Sequence, residues 1–281
     1  MEDHPHPESF TPEKWDNLLT ACTSRIQMSG GLPAVLRSMD MTTAGGVATD
    51  DDLHAAVKAL VKQAGAGGGV GAVPRPPAVG GGVLAGAAVG ERLRAVQTYI
   101  DKLGYNHLGT TFFEIRKTAS VRSLMRTAQE MISFALPIKC LEAVVLATYL
   151  TAPLVDVERI PCSFKSECGG DTYRHIVLLL HCGDRWGALG ISRRPDLMDK
   201  PLAFKSLPEI LKEYKTAYER NGHRLRKIKL GLPITHDTSS NERFTWKYLS
   251  LHVNTPLVAD EGERMLDKYI RGLRGGFAPH I

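Results

Sequence analysis

The sequence predicts an α+β fold in which a central cysteine-bearing helix packs on an antiparallel sheet behind an N-terminal helical region. Three observations predict it. Between residues 91 and 150 apolar residues recur at helical spacing, ending in a run that is apolar nearly all round from Val144 to Leu150. From Pro161 the period becomes that of strands, with turn signals at Gly169-Gly170-Asp171 and Gly183-Asp184. Amphipathic helical spacing then returns over 211–218 and 263–271.

Composition bounds the function. With 281 residues, 43% of them hydrophobic, the chain can bury a large core. Its net charge of +5 divides unevenly, with −3 over residues 1–90 and +8 over 91–281, so the second part should attract acidic partners. The aromatic residues are not interleaved with Lys and Arg, which argues against a nucleic-acid surface. The start Met1-Glu2-Asp3-His4-Pro5 has no leader character, and no stretch offers ~18 uninterrupted apolar residues, so neither a secreted nor a membrane protein is expected. Five cysteines without a regular framework fit a reducing, cytosolic setting.

Taken in order, Thr11-Pro12 opens a short helix through Trp15, Leu18, Leu19 and Cys22, and Asp50-Asp51-Asp52 opens a second through Leu53, Val57, Leu60 and Val61. Residues 1–63 therefore read as an N-terminal helical region. Residues 64–90 are almost entirely Gly, Ala, Val and Pro and read as a flexible linker, leaving 91–281 as the core. No Gly-Lys-Ser/Thr follows the glycines, so they are not a phosphate loop. Leu93, Val96, Tyr99, Ile100 and Leu103 share a helical face that Gly104 stops, and Phe112 to Ile115 reads as a brief extended segment. Leu124, Met125, Ala128, Met131, Ile132 and Ala135 mark another helix. It leads into Pro137, which suits a first helical turn and places Cys140 where free N–H groups, the helix dipole and Lys139 favour a thiolate. Cys140 is thus a candidate nucleophile, although a cysteine before an apolar run is as often plain core.

The hairpin register can be computed. Gly183-Asp184 fits a two-residue loop of type II′, so Cys182 pairs with Arg185 and paired residues sum to 367. That rule sets His175 opposite Ser192, Val177 opposite Gly190 and Leu179 opposite Ala188 on one face. The small residues there leave room for the Cys140 helix, which is expected to pack on this face and bring Cys140 to His175. Thiol acyl transfer needs this set: a thiolate, a histidine that takes and returns the proton, and a third group, here Ser192, that orients the imidazole.

The residues Tyr105-Asn106-His107, Ala135-Leu136-Pro137-Ile138-Lys139-Cys140-Leu141-Glu142, Ser163-Phe164-Lys165, Arg174-His175-Ile176-Val177-Leu178 and Gly187-Ala188-Leu189-Gly190-Ile191-Ser192-Arg193-Arg194 closely resemble the vasohibins. The resemblance runs over about residues 91–250, through Ile228-Lys229-Leu230-Gly231 and His236-Asp237. It implies a transglutaminase-like cysteine peptidase that removes the C-terminal tyrosine of α-tubulin in the cytoplasm, on microtubules. It further implies Cys140 as nucleophile, His175 as base, Ser192 as third member and Tyr105 as a hydroxyl donor near the oxyanion, with no cofactor or metal. A carboxypeptidase must hold a free carboxylate beside the nucleophile, and Lys139 and Arg193 flank Cys140 and Ser192. At ~4 Å and an effective dielectric near 20, each offers on the order of 4 kcal/mol before desolvation. Lys165, Arg174, Lys117 and Arg194 would form a groove for the glutamate-rich tail. The family's vertebrate members use a small helical partner, the small vasohibin-binding protein, which docks on the N-terminal helical region; before residue 91 this chain shares only helical character, so it is expected to be able to act without depending on such a partner. The rival readings are a non-catalytic module whose basic groove binds acidic tails, and a metal site of Cys162, Cys168, His181 and Cys182. The spacing of the latter fits no common zinc pattern, and adjacent strand residues face opposite ways.

Overall fold

A computed structural model describes residues 74–107, 111–253 and 259–275. The helices expected near Thr11 and Asp50, and the first part of the 64–90 segment, lie outside the described residues. Helix α1 (Val89–Leu103) buries Leu93, Val96, Tyr99, Ile100 and Leu103 and ends at Gly104, whose φ of 77° lies in the left-handed region. Ahead of it, Val79 is 1% exposed and joins the same core, so the chain at residue 79 is already packed. Helix α2 (Val121–Phe134) is capped by the Ser120 hydroxyl, which accepts from the Ser123 N–H, and stops where Ala135 turns left-handed.

Helix α3 (Cys140–Leu150) starts three residues later than Pro137 suggested. The Ile138 N–H donates to Gly104 O at 3.1 Å and Ile138 O accepts from the Asn106 N–H at 2.9 Å, a short parallel bridge that holds the chain extended until Lys139, the N-cap. Cys140 is therefore the first helical residue. Phe112 to Ile115 forms no strand; both phenylalanines are buried, and the Phe113 N–H donates to Glu142 Oε1 at 3.1 Å.

The six strands are β1 (Glu158–Cys168), β2 (Asp171–Cys182), β3 (Arg185–Leu189), β4 (Lys200–Phe204), β5 (Arg224–Leu230) and β6 (Leu249–His252), in the spatial order β4-β3-β2-β1-β5-β6, with every neighbour antiparallel. Gly169 and Gly170, both at positive φ, make the β1–β2 turn. Gly183 at φ 59° makes the β2–β3 turn, and Cys182 pairs with Arg185 in the expected register. Helix α4 (Leu207–Arg220) follows β4, and α5 (Ala259–Gly275) is the last described element.

The sheet is covered on both faces. Helices α1, α2 and α3 share one core with Ile176, Leu178 and Leu180 of β2, while α4 and α5 share the other with Val177 and Leu179. The expectation that the Cys140 helix packs on the His175–Val177–Leu179 face is thus wrong, and it lies on the opposite one. β2 is apolar on both sides because both sides are buried, so alternation could not choose between them. No helix among the described residues is long and apolar enough to cross a membrane.

Both ends of α3 are tied down. Glu142, 1% exposed, accepts the Lys139 N–H at 2.6 Å, the carboxylate half of a capping box, as well as that of Phe113. At the other end Arg159, fully buried, donates to Thr148 O at 3.0 Å and to Ile234 O at 2.9 Å, a cation placed against the negative end of the helix. Burial pulls its pKa down to about 10, which leaves it charged near neutrality.

Close approach of β3 and β4 depends on Gly187. A Cβ there would meet Leu202 Cα at 2.9 Å and Lys200 O at 3.0 Å, which are backbone atoms that cannot rotate away. Gly187→Ala is expected to lower stability by about 1–3 kcal/mol in thermal or urea unfolding. Gly90→Ala, in open space within α1, should leave stability unchanged or slightly raised.

Candidate active site

The N-terminus of α3 meets β2 where β3 has left it. In a two-residue hairpin the closing pair exchanges both hydrogen bonds, and such pairs alternate, so Leu180↔Gly187 and Leu178↔Leu189 follow Cys182↔Arg185. The next would be Ile176↔Ile191, but the ladder stops at Leu189. The Ile176 N–H donates to the Cys140 sulfur instead, which sets Sγ one residue along β2 from His175.

The His175 ring lies on the α4 side of the sheet, nearly parallel to Phe164 at 6.3 Å. Its Nε2 is 2.7 Å from Leu197 O. A carbonyl only accepts, so Nε2 carries the proton and Nδ1 of the neutral ring holds the lone pair. The orienting group is thus a backbone carbonyl, in the short 3₁₀ turn Pro195–Leu197. Ser192 was expected in that role. Its strand pairing with His175 does not form, and its hydroxyl accepts from the Arg194 N–H at 3.2 Å, closing its own turn.

Burial raises the Cys140 thiol above its ordinary value; N–H groups of Ile176, Leu141 and Cys140 itself oppose the rise, and the Glu142 charge adds to it. Burial lowers His175 to about 4, against a smaller opposing effect of Leu197 O. Both shifts favour the neutral thiol and the neutral imidazole over the charged pair.

Tyr105 forms the bridge partner of Ile138, and its phenol pKa is raised by burial first and then by proximity to Cys140, with Arg193 opposing. The Lys139 ammonium is lowered by burial, supported by Glu142 and Cys140, and lowered further by Arg193. Tyr105, Lys139, Cys140 and Arg193 therefore share one neighbourhood. Arg193 and Arg194 are exposed, and no ion pair among the described residues uses Arg193.

On the α3 face of the sheet Lys165 stands opposite both Arg174 and Lys227. Lys229 has its pKa lowered by burial and then by Lys247, Lys227, Arg174 and Lys117. Lys117 sits 5.9 Å from the centre of the Trp246 ring. Lys227, Lys229 and Lys247 escaped sequence reading because they join Arg174 and Lys117 only where four sequence-distant segments meet. Leu197 escaped it because a backbone carbonyl leaves no residue signature. Glu142 did leave a signal, a glutamate three residues after an N-cap. Among the described residues no group of three or more His, Cys, Asp or Glu could hold a metal ion.

A cysteine opening a buried helix, with a carbonyl-oriented histidine on the strand beside it, supplies on an α+β scaffold the residue types that thiol acyl transfer requires. A model of the Vasohibin family matches residues 48–274, well upstream of residue 91 where the resemblance began, and the chain belongs to that family. The mouse protein Tubulinyl-Tyr carboxypeptidase 1 is 49% identical over 186 residues, which make up 66% of this chain and 49% of the mouse protein. The chain spans about half the length of that relative.

Alkylation tests the neutral pair. The rate of Cys140 modification by iodoacetamide, followed by peptide mass spectrometry, should climb as pH rises through 9 and beyond, because burial raises the thiol. A preformed ion pair would instead give a plateau from about pH 5 to 8. His175 titrates at 6.5 when unfolded and about 4 when folded, so its stabilisation is full above 6.5 and drains as pH falls to 4. The drain is worth about 3 kcal/mol, read by urea unfolding against pH.

Proposed function

We propose that the chain is a transglutaminase-like cysteine carboxypeptidase that removes the C-terminal tyrosine of α-tubulin. The observation that carries this reading is the pair of cations, Lys139 and Arg193, beside Cys140. A carboxylate clamp one residue beyond the scissile bond limits the leaving group to a single amino acid. Membership of the Vasohibin family and the name of the mouse relative support the substrate.

In this reading His175 Nδ1 takes the Cys140 proton as sulfur attacks the peptide carbonyl. The Cys140 N–H and the Tyr105 hydroxyl stabilise the oxyanion. His175, held by Leu197 O, returns the proton to the leaving tyrosine amine. Water, deprotonated by the same imidazole, then attacks the thioester, breaking the S–C bond to release the shortened tail as a carboxylic acid and restore the Cys140 thiol. Ser192 shapes the turn that presents Arg193. Like charges directly opposite on adjacent strands destabilise a sheet, so the row Arg174–Lys165–Lys227 serves binding rather than folding. With Lys117, Arg194, Lys229 and Lys247 it forms the track for the acidic tail. On this reading the protein acts in the cytoplasm, at microtubules.

The test is incubation of the chain, made without any partner, with a tubulin-tail peptide ending in tyrosine. Mass spectrometry should find the loss of one tyrosine, absent with Cys140→Ala; activity only after adding a small helical partner would show that the chain does not act alone. Arg193→Ala should raise KM about 10–100-fold for the free-acid peptide and leave the poorer cleavage of its C-terminal amide unchanged. Lys165→Ala should flatten the rise of KM with salt; an unaltered salt dependence would remove it from the track.

A further inference from the structure

The carboxylate clamp proposed above depends on a segment, residues 190–194, that belongs to no regular element. β3 ends at Leu189, and on its outer edge β4 reaches only as far as Lys200 opposite Ala188. By the alternation of an antiparallel ladder, the N–H and C=O of Gly190 face this outer edge, two residues beyond the last β4 partner. Gly190 is buried, so both groups would be stranded there at a cost in stability.

Gln97, from α1, fills the gap. Its side chain is 5% exposed; Nε2 donates to Gly190 O at 2.8 Å, and Oε1 accepts from the Gly190 N–H at 3.2 Å. One amide group therefore reproduces both bonds that a strand residue would make. The remaining Nε2 proton goes to Asp101 Oδ1 at 2.8 Å, which fixes the amide's orientation as well as its position. On the inner side a Cβ at Gly190 would meet Val177 Cγ1 at 3.1 Å, so the glycine is held closely between β2 and α1. Three residues further on stands Arg193, in the turn that the Ser192 hydroxyl closes, within electrostatic reach of Tyr105 and Lys139.

We infer that Gln97 is a positioning residue for Arg193: by standing in for the missing strand at Gly190, it sets where the chain leaves the sheet and so where the guanidinium meets a carboxylate beside Cys140. A buried glutamine on a helix of apolar spacing would otherwise be a liability, because each of its polar atoms needs a partner. Here all are used, on a backbone position three residues from a substrate-binding cation. The inference rests on the carboxypeptidase reading for its substrate but not for its geometry.

Two alkylating agents separate these. Iodoacetate carries the carboxylate that Arg193 would attract, and iodoacetamide does not, so the ratio of their rates at Cys140 reports the clamp without any peptidase activity. The ratio should fall about three- to tenfold in Arg193→Ala, by a similar factor in Gln97→Leu, and no further in the double variant. Gln97→Glu, which keeps an acceptor for the Gly190 N–H and loses the donor to Gly190 O, should lie between and covers the event that Gln97→Leu does not fold. In parallel, the preference for the free-acid over the amidated tail peptide should shrink in each Gln97 variant, through KM rather than kcat. An unchanged iodoacetate-to-iodoacetamide ratio in folded Gln97 variants, with only a lowered Tm, overturns the inference and leaves Gln97 a purely structural residue. Failure of the unaltered chain to cleave the tail peptide overturns the carboxypeptidase reading alone, because the alkylation ratio still judges Gln97.

Discussion

A buried helix must satisfy the backbone groups that its ends leave open, and the way α3 does so positions the rest of the site. At its N-terminus Glu142 takes the N–H of Lys139 and that of Phe113, which joins the helix start to the loop after Tyr105. At its C-terminus the buried Arg159 takes Thr148 O and reaches on to Ile234 O, beyond β5. These two charged side chains fix the helix along its axis. With the axis fixed, Cys140 stops at the level of Ile176, and the bridge from Ile138 to Tyr105 brings the phenol to the same level. Substitution of either charged group would leave buried backbone groups open as well as removing a contact, which is why such residues tolerate little change.

The site is built where regular structure is interrupted. A continued β2–β3 ladder would spend the Ile176 N–H on Ile191; the break at Leu189 gives it to sulfur. The same break sends Ser192, Arg193 and Arg194 out of the sheet and turns the chain back so that Leu197 O meets His175. The placement of Cys140, His175 and Arg193 thus follows from one departing strand. Burial favours the neutral forms of Cys140 and His175 alike.

Much of this was legible in the sequence. Local chemistry determined the apolar face of α1, the glycine that ends it, the nearly all-round apolar run over 144–150 of α3, the Gly183-Asp184 turn and hence the 367 register as far as Leu189, because each depends on neighbours a few residues apart. Cys140, His175 and Lys139 could be named for similar reasons, as a thiol near a helix start, a histidine on a strong strand and a cation beside the thiol, whereas Arg193 follows only as the neighbour of Ser192 once the resemblance calls for a carboxylate clamp.

Tertiary structure decided what local pattern leaves degenerate. The strand β2 is apolar on both faces, so only the assembled layers settle that α3 lies against Ile176 and Leu178 rather than Val177 and Leu179. The hairpin rule carried His175 to Ser192 on paper, but where a ladder ends depends on what competes for its hydrogen bonds, and here the competitor is a cysteine from another element. The group that orients His175 is a main-chain oxygen, which every residue has and no sequence marks. The clustering of Lys227, Lys229 and Lys247 with Arg174 and Lys117 likewise requires four separate segments to meet. Sequence alone supplied the chemical groups; the packing of a sheet between two helical layers chose which of them face one another.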